Sequence, residues 1–176
     1  MRRAALQKVR LKPKKALRSP TGASARTRTV VKTWNAYGGL LQALAEELAI
    51  EPAVAVAVLA VESGGKGFGH RQRLIIRFEN HVFAGQWGPP HRGEFDKHFR
   101  YNSEKHWVDQ QFRARESDAW GDFHGSQTPE WRVFNFARDL NATAAYRSIS
   151  MGAPQIMGFN HSIVGYASAK AMFEAF

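Results

Sequence analysis

An unbroken apolar run that ends in one acidic residue constrains this chain more than any other feature. Nine apolar residues extend from Ala53 to Val61, and Glu62, Ser63 and two glycines follow them. Because apolar side chains are most stable away from water, the run predicts a buried, central element. A glutamate at the end of such an element would lose hydration, which raises the pKa of its carboxyl group and keeps it protonated as a general acid. The same spacing also fits a surface glutamate that ends a core helix.

Apolar periodicity predicts a mainly helical chain. Leucines recur at helical spacing over 35–49, and Pro52 suits the first turn of a second helix over 51–62, although the valines of this run also suit a buried strand. A short strand is expected at 74–78 within a small β-hairpin near 74–83, followed by irregular structure over 84–128. Thr128 to Tyr146 is predicted to be a helix, Ser148 to Asn160 a loop with a short helix, and 168–176 a last helix.

Positive charge is concentrated at the amino-terminal end. Residues 1–45 contain 11 lysines and arginines and no acidic residue, whereas the remaining chain has 14 basic and 15 acidic residues. Residues 1–33 have few large apolar side chains, so we expect an extended basic arm, disordered or docked to a partner, before a folded domain over 34–176. Such an arm suits an anionic cell-wall polymer, a membrane surface, an acidic protein or nucleic acid. No aromatic residues alternate with its charges, which argues against a base-stacking site.

Several other chemistries find no support in the sequence. The absence of cysteine excludes disulfides and thiolate metal sites. The seven histidines form no pair at helical i, i+4 spacing, and no phosphate-binding glycine loop or Gly-x-Ser-x-Gly elbow is present. We therefore expect neither a metal nor an organic cofactor. No secretory signal with a continuous apolar region is visible, and no run is long enough to span a bilayer.

Three segments carry a more specific pattern: Val61–Gly65, Ile76–Phe83 and Ser148–His161, the last with the sequence Gly-Ala-Pro-Gln-Ile-Met-Gly-Phe-Asn. Together they resemble the N-acetylmuramidase domain of phage endolysins and related bacterial peptidoglycan hydrolases, within the lysozyme-like group. The similarity extends from about Trp34 to the end of the chain and includes Gln127-Thr-Pro-Glu-Trp131. Glu-Ser-Gly alone occurs by chance, whereas the long third segment is specific. The resemblance implies a mainly α, lysozyme-like α+β domain with a small β-hairpin.

By this resemblance, Glu62 is the catalytic acid of a peptidoglycan hydrolase. It would protonate the glycosidic oxygen between N-acetylmuramic acid and N-acetylglucosamine as an oxocarbenium-like centre develops. Glu79 is the natural second carboxylate, which would position water or stabilise the cation, or else serve as a structural partner of Arg77 or His81. Four aspartates of the middle region remain further candidates: Asp96, Asp109, Asp118 and Asp122. A raised pKa at Glu62 predicts an activity maximum at mildly acid to neutral pH.

The other implied site residues bind the sugar. Gln155 and Asn160 carry amides that donate and accept hydrogen bonds, which matches N-acetyl and hydroxyl groups. Met157 and Phe159 would form the floor of the sugar-binding cleft or pack in the core. The same two roles stay open for Phe78 and Tyr166. Ser63 would fix the orientation of the carboxyl group or make a hydrogen bond at the helix end.

The chain departs from the family at both ends. Family members usually continue beyond the position of Phe176, so the domain is expected to be truncated, or its last helix to be covered by another protein. The basic arm suggests tethering by charge or incorporation into a phage tail or contractile injection particle. Lytic transglycosylation, a structural docking role in such a particle, and nucleic-acid binding through the arm remain the alternatives. For either enzymatic reaction the substrate is bacterial peptidoglycan. The protein would be made in the bacterial cytoplasm and would reach the cell wall through lysis, a holin or delivery by a particle.

Overall fold

The computed structural model describes residues 9–176, which form two compact units divided in sequence between Phe68 and Gly69. The N-terminal unit contains helix α1 (Ala25–Glu47) and helix α2 (Pro52–Ser63), which pack against each other. No helix within the described residues has both the length and the apolar character needed to cross a bilayer.

Helix α1 begins earlier than the periodicity predicts. The Ser24 side chain caps it by accepting a hydrogen bond from the Thr27 N–H at 3.1 Å. The preceding segment lies along the helix, because Trp34 donates to the Lys15 carbonyl at 3.2 Å and Asn35 binds both backbone groups of Leu17. The helix was expected to start at residue 35, which lies inside α1. The expected boundary between the basic arm and the folded domain, at residues 33 and 34, also lies inside α1. Residues 1–8 of the predicted arm lie outside the described residues.

Helix α2 matches the expected helix over 51–62, but its predicted central burial is wrong. Val56 is its buried residue, whereas Val61 is 81% exposed and Val54 and Val58 are about half exposed. Within this unit α1 covers one side of α2, so a helix that is apolar all round keeps apolar side chains that this unit does not cover.

The C-terminal unit combines five helices with two small antiparallel sheets among the described residues. The helices are α3 (Asn80–Trp87), α4 (Arg92–His98), α5 (Gln127–Leu140), α6 (Ala142–Arg147) and α7 (Ala169–Ala175). The strands are β1 (Ile76–Phe78), β2 (Phe99–Arg100), β3 (Gln111–Phe112), β4 (Gly121–Asp122), β5 (Ile149–Met151) and β6 (Ile156–Met157). The sheet orders are β1-β5-β6 and β2-β3-β4. The expected mainly helical α+β class is confirmed.

The predicted hairpin near 74–83 is wrong. Strand β1 pairs with β5, with Ile76 opposite Met151 and Phe78 opposite Ile149. The chain leaves β1 by entering α3 at Asn80. Residues 84–128 also contain helix α4 and a complete sheet rather than irregular structure. A strand of three residues has no local signal for a partner this distant in sequence, and tertiary packing selects it.

The helix expected from Thr128 to Tyr146 is divided into α5 and α6. Ser126 is the N-cap residue of α5, and Asn141 interrupts the helix by accepting a hydrogen bond from the Ala144 N–H at 2.9 Å. Asn141 thus begins α6 as a side-chain cap.

Side chains of α5 complete the edge of β1 that β5 does not pair. Gln127 accepts from the Ile76 N–H and donates to the Ile76 carbonyl, both at 2.9 Å. Glu130 accepts from the Phe78 N–H at 2.8 Å, and the Trp131 indole donates to the Leu74 carbonyl at 3.2 Å. The Gln-Thr-Pro-Glu-Trp segment is therefore the part of α5 that replaces a missing neighbouring strand.

The last helix packs into the aromatic core. Met172 of α7 is fully buried, and the Phe173 ring centroid lies 5.1 Å from that of Tyr146 and 5.9 Å from that of Trp131. Phe176 is 38% exposed. For Met172 and Phe173, the expected cover by another protein is therefore not needed, because α5 and α6 supply the covering side chains.

We predict that Gln127→Glu destabilises the C-terminal unit. The substitution keeps the shape but removes the amide donor that faces the Ile76 carbonyl, and an unpaired buried group costs about 1–3 kcal/mol. Thermal or urea unfolding followed by circular dichroism measures the change, with Thr128→Ala at the neighbouring exposed position as control. Equal unfolding midpoints for Gln127→Glu and the original protein would contradict this role.

Candidate active site

Glu62 lies in the last turn of α2, and its side chain is exposed. The neighbouring Ser63 hydroxyl donates to the Leu59 carbonyl at 3.2 Å and accepts from the Lys66 N–H at 3.2 Å. Of the two roles expected for Ser63, these contacts correspond to hydrogen bonding at the helix end and not to orientation of the Glu62 carboxyl group. Within its own unit Glu62 is therefore not buried.

The turn after Glu62 is held in place by glycine. Gly64 ends α2 in the left-handed conformation with φ of 62°, and Gly65 follows with φ of 72°. A Cβ atom at Gly65 would overlap the hydroxyl of Thr33, which is buried and donates to the Thr29 carbonyl at 2.9 Å. The close approach of this turn to α1 therefore requires glycine, and it positions the end of α2 that bears Glu62.

In the C-terminal unit, the β1-β5-β6 sheet presents one polar face. Arg77, Ser150 and Met157 stand opposite one another across the three strands, so they share a face. Met157 is partly buried beside the two polar residues. This row, together with Glu79 and Gln155, is termed the polar face here.

Phe78 lies on the other side of the sheet and is fully buried. Its ring packs against Phe83 at 5.6 Å, Phe99 at 6.2 Å and Phe123 at 6.5 Å between centroids. The predicted substrate-binding role of Phe78 is therefore corrected to core packing.

Gln155 is locked onto the polar face by two hydrogen bonds. Its carbonyl oxygen accepts from the Ser150 hydroxyl at 2.8 Å, and its amide nitrogen donates to the Gly152 carbonyl at 2.7 Å. Its φ of 49° places a non-glycine residue in the left-handed region, a conformation that recurs at functional sites. Each end of the amide keeps one further hydrogen-bonding position for a ligand.

Glu79 stands at the end of β1, and both of its carboxylate oxygens have partners. Oε1 accepts from Arg77 Nε at 2.8 Å, and Oε2 accepts from Gln110 Nε2 at 2.5 Å. His81 Nδ1 lies 3.6 Å from Oε2. The carboxylate thus binds Arg77, which is the structural partner that the sequence suggested. It also binds Gln110, a partner that the sequence did not suggest.

Asn80 and Gln110 form a buried corner behind Glu79 that the sequence did not reveal. Gln110 Oε1 accepts from the Asn80 N–H at 2.6 Å. The Asn80 side chain donates to the backbone carbonyls of Arg100 and Gln111 at 2.9 and 2.8 Å. This corner connects the start of α3 to strands β2 and β3. An isolated Asn or Gln carries no spacing signal, so the corner becomes visible only in the fold.

The remaining predicted site residues lie on or near the surface of the same unit. Phe159 is 38% exposed and Asn160 is partly buried, in the single helical turn Gly158–Asn160 that follows β6. Each of the four candidate aspartates has a polar partner, namely Asp96 with Arg92, Asp109 with Asn102, Asp118 with Arg115 and Asp122 with Gln111.

The structure therefore brings together Glu79, Gln155 and Met157 within one unit. Arg77, which the sequence suggested as a partner of Glu79, joins them, and Ser150 is an addition that sequence reasoning missed. Glu62 and Ser63 belong to the other unit. Among residues 9–176, no three His, Asp or Glu side chains converge in a metal-binding arrangement.

Comparison with known proteins gives two matches of consequence. A family model described as Muramidase, N-acetylmuramidase matches residues 51–176. The crystal structure of the Burkholderia AP3 phage endolysin is similar with a TM-score of 0.56 and 26% sequence identity. The similar region covers 77% of this chain and 46% of the endolysin chain, so the chain spans less than half of that protein. A comparison with curated proteins found no match.

We predict that His81 makes the stability of the protein depend on pH. Burial lowers the pKa of His81 below its ordinary 6.5, Glu79 opposes this shift, and His106 and Arg77 add to it. The unfolded state consequently binds the proton more readily than the folded state, so stability is present above pH 6.5 and is lost as the pH falls below it.

Urea unfolding at several pH values between 7 and 5 measures this effect, and His81→Asn should reduce the loss of unfolding free energy across that range. His70→Asn, at an exposed position, is the control. An unchanged slope in His81→Asn would show that other groups carry the dependence.

Proposed function

The chain belongs to the N-acetylmuramidase family, and on that premise we propose that it cleaves the glycan strand of bacterial peptidoglycan between N-acetylmuramic acid and N-acetylglucosamine, with Glu62 as the general acid. The family match carries this proposal, because it includes all of α2 with Glu62 and the entire C-terminal unit. The protein would thus be a lysozyme-type glycoside hydrolase that acts in the bacterial cell wall.

Glu62 suits this role because its carboxyl group is accessible at the end of a rigid helix. The acid must reach the glycosidic oxygen within hydrogen-bonding distance and donate a proton as the bond breaks. A glycan strand bound over an exposed carboxyl group would displace its water and favour the neutral, proton-donating form. The substrate would then contribute dehydration that the N-terminal unit by itself does not supply.

The polar face suits recognition of the sugar. The Gln155 amide keeps one donor and one acceptor position, and the Ser150 hydroxyl fixes its orientation. N-acetyl groups present one N–H and one carbonyl, so a single oriented amide can pair with both. Asn160 would contribute a second amide, and Met157 and Phe159 would contact the apolar parts of the rings.

Glu79 is proposed as a positioning residue rather than a group that attacks the sugar. Its two oxygens are held by Arg77 and Gln110, so it is oriented by fixed donors on both sides. This arrangement stabilises Arg77 on the polar face and joins that face to the buried corner at Asn80.

Lytic transglycosylation is the second candidate reaction. It requires one acid, because the 6-hydroxyl of the muramic acid replaces water as the nucleophile. With Glu79 proposed as a positioning residue, Glu62 is the one acid of the proposal, and one acid is sufficient for this reaction. Mass spectrometry of the products separates the reactions, because hydrolysis leaves reducing ends and transglycosylation leaves anhydro-muramic ends.

The basic amino-terminal residues are proposed to hold the protein on its substrate. Eleven lysines and arginines without an acidic residue in 1–45 would attract anionic wall polymers or an anionic membrane surface. Contact with phage tail or injection-particle proteins is the further partner that this segment suggests.

We predict that Glu62→Gln removes peptidoglycan cleavage while the fold stays intact. Loss of a general acid typically lowers the rate by about 10²–10⁴-fold. Release of soluble glycan fragments from purified peptidoglycan measures the rate. The matched control is Glu51→Gln, which removes an exposed acid at the opposite end of the same helix, where it makes no side-chain cap. Retained cleavage in Glu62→Gln would refute the proposed acid.

We predict that Glu79→Gln lowers stability and leaves a measurable cleavage rate. The amide keeps one acceptor oxygen but presents a donor to either Arg77 or Gln110, both of which also donate. The unfolding midpoint and the rate on purified peptidoglycan are measured on the same preparation. A rate reduced to that of Glu62→Gln with an unchanged midpoint would instead assign Glu79 to the chemistry.

A further inference from the structure

The loop from Asn102 to Asp109 is held in one shape by its own hydrogen bonds. Asn102 Oδ1 accepts from the backbone N–H groups of Glu104 and Lys105 at 2.9 and 3.0 Å. The Asn102 N–H donates to the Val108 carbonyl at 3.2 Å, and its side-chain amide donates to Asp109 at 3.3 Å. A loop ordered in advance can present side chains to a ligand with little further loss of entropy.

Trp107 lies in this loop, and 67% of its surface is exposed. Tryptophan has the largest side chain, and leaving it in water forgoes the stabilisation that burial would provide. An ordered loop that keeps a tryptophan exposed is therefore a feature of binding surfaces, where such residues provide most of the contact energy.

Three further rings form a cluster, and one of them, His106, directly precedes Trp107 in the sequence. His106 stacks on His81 with ring centroids 5.7 Å apart, and Tyr101 meets both rings edge-on, at 5.6 Å from His106 and 6.1 Å from His81. Tyr101 also contacts the buried ring of Phe95 at 6.3 Å. The ring cluster, defined as His81, Tyr101 and His106, is therefore anchored in the core.

The ring cluster continues from the polar face. His81 Nδ1 lies 3.6 Å from Glu79 Oε2, and Glu79 binds Arg77 of strand β1. Burial lowers the pKa of His81, which favours the uncharged form of this ring. Rings and oriented amides thus occupy adjoining parts of one unit.

We propose that Trp107 and the ring cluster form a carbohydrate subsite that binds one pyranose ring of a glycan strand by stacking. The CH groups on a pyranose face carry partial positive charge and match the negative faces of aromatic rings, while hydroxyl groups remain at its rim. Glu79, Glu104 and Asp109 lie on this surface or its loop, beside Arg77 and Lys105, and the acidic groups disfavour a phosphate backbone but not the uncharged N-acetylglucosamine ring of the strand. The subsite rests on the proposed function, because its occupant is the glycan strand of peptidoglycan.

The test measures binding without cleavage. A soluble, peptide-free oligosaccharide of alternating N-acetylglucosamine and N-acetylmuramic acid is titrated calorimetrically into the Glu62→Gln protein. Adding Trp107→Ala should raise the Kd about tenfold, as loss of a dominant aromatic contact does. Trp107→Phe should recover most of the affinity because it restores an aromatic face. Ile163→Ala, which removes an 82% exposed aliphatic side chain of the same unit, should leave the Kd unchanged.

Two results would overturn the subsite: an unchanged Kd in Trp107→Ala, or the absence of oligosaccharide binding by the Glu62→Gln protein itself. Neither depends on the cleavage assay, which tests the proposed function separately. Circular dichroism of each variant establishes that the fold is retained. Because Trp107 is 67% exposed, its removal takes little buried surface from the fold.

Discussion

The C-terminal unit depends on strand β1 having hydrogen-bond partners along both of its edges. One edge pairs with β5, and the other meets Gln127 and Glu130 of α5 instead of a strand. A buried backbone group without a partner destabilises a fold, so these side chains allow a three-residue strand to lie in the core. Glu130 also accepts a hydrogen bond at 2.8 Å from His124 and is itself buried, which fixes the carboxylate in place.

Satisfying the edges of β1 also determines where the polar groups of the site stand. Ile76 and Phe78 face the core, so Arg77 between them and Glu79 after them face the opposite side. Ser150 of β5 joins Arg77 on that side, and Gln155 is oriented by Ser150. The polar face is therefore a direct consequence of strand alternation in a sheet whose other face is aromatic, and a pre-organised amide on such a face is suited to binding a polar sugar.

Some of these features could be predicted from the sequence because their signals are local. Pro52 and Gly64 mark the ends of α2, and the family resemblance identified the segments that the N-acetylmuramidase model later matched. Other expectations were wrong because their signals are not local. The apolar run of α2 predicted central burial, but burial depends on which elements cover a helix. The strand at Ile76 suggested a hairpin, but its partner is β5, far along the chain.

The sequence by itself favoured a helix at α2 and determined the α+β class, the family and the identity of Glu62 as the candidate acid, because periodicity, turn residues and motifs are read along the chain. Only the tertiary structure decided that Phe78 belongs to the core, that Arg77 and Gln110 hold Glu79, and that Asn102 orders the loop bearing Trp107. The physical reason is that hydrogen bonds and ring contacts between distant segments depend on three-dimensional proximity, which local patterns of polarity do not encode.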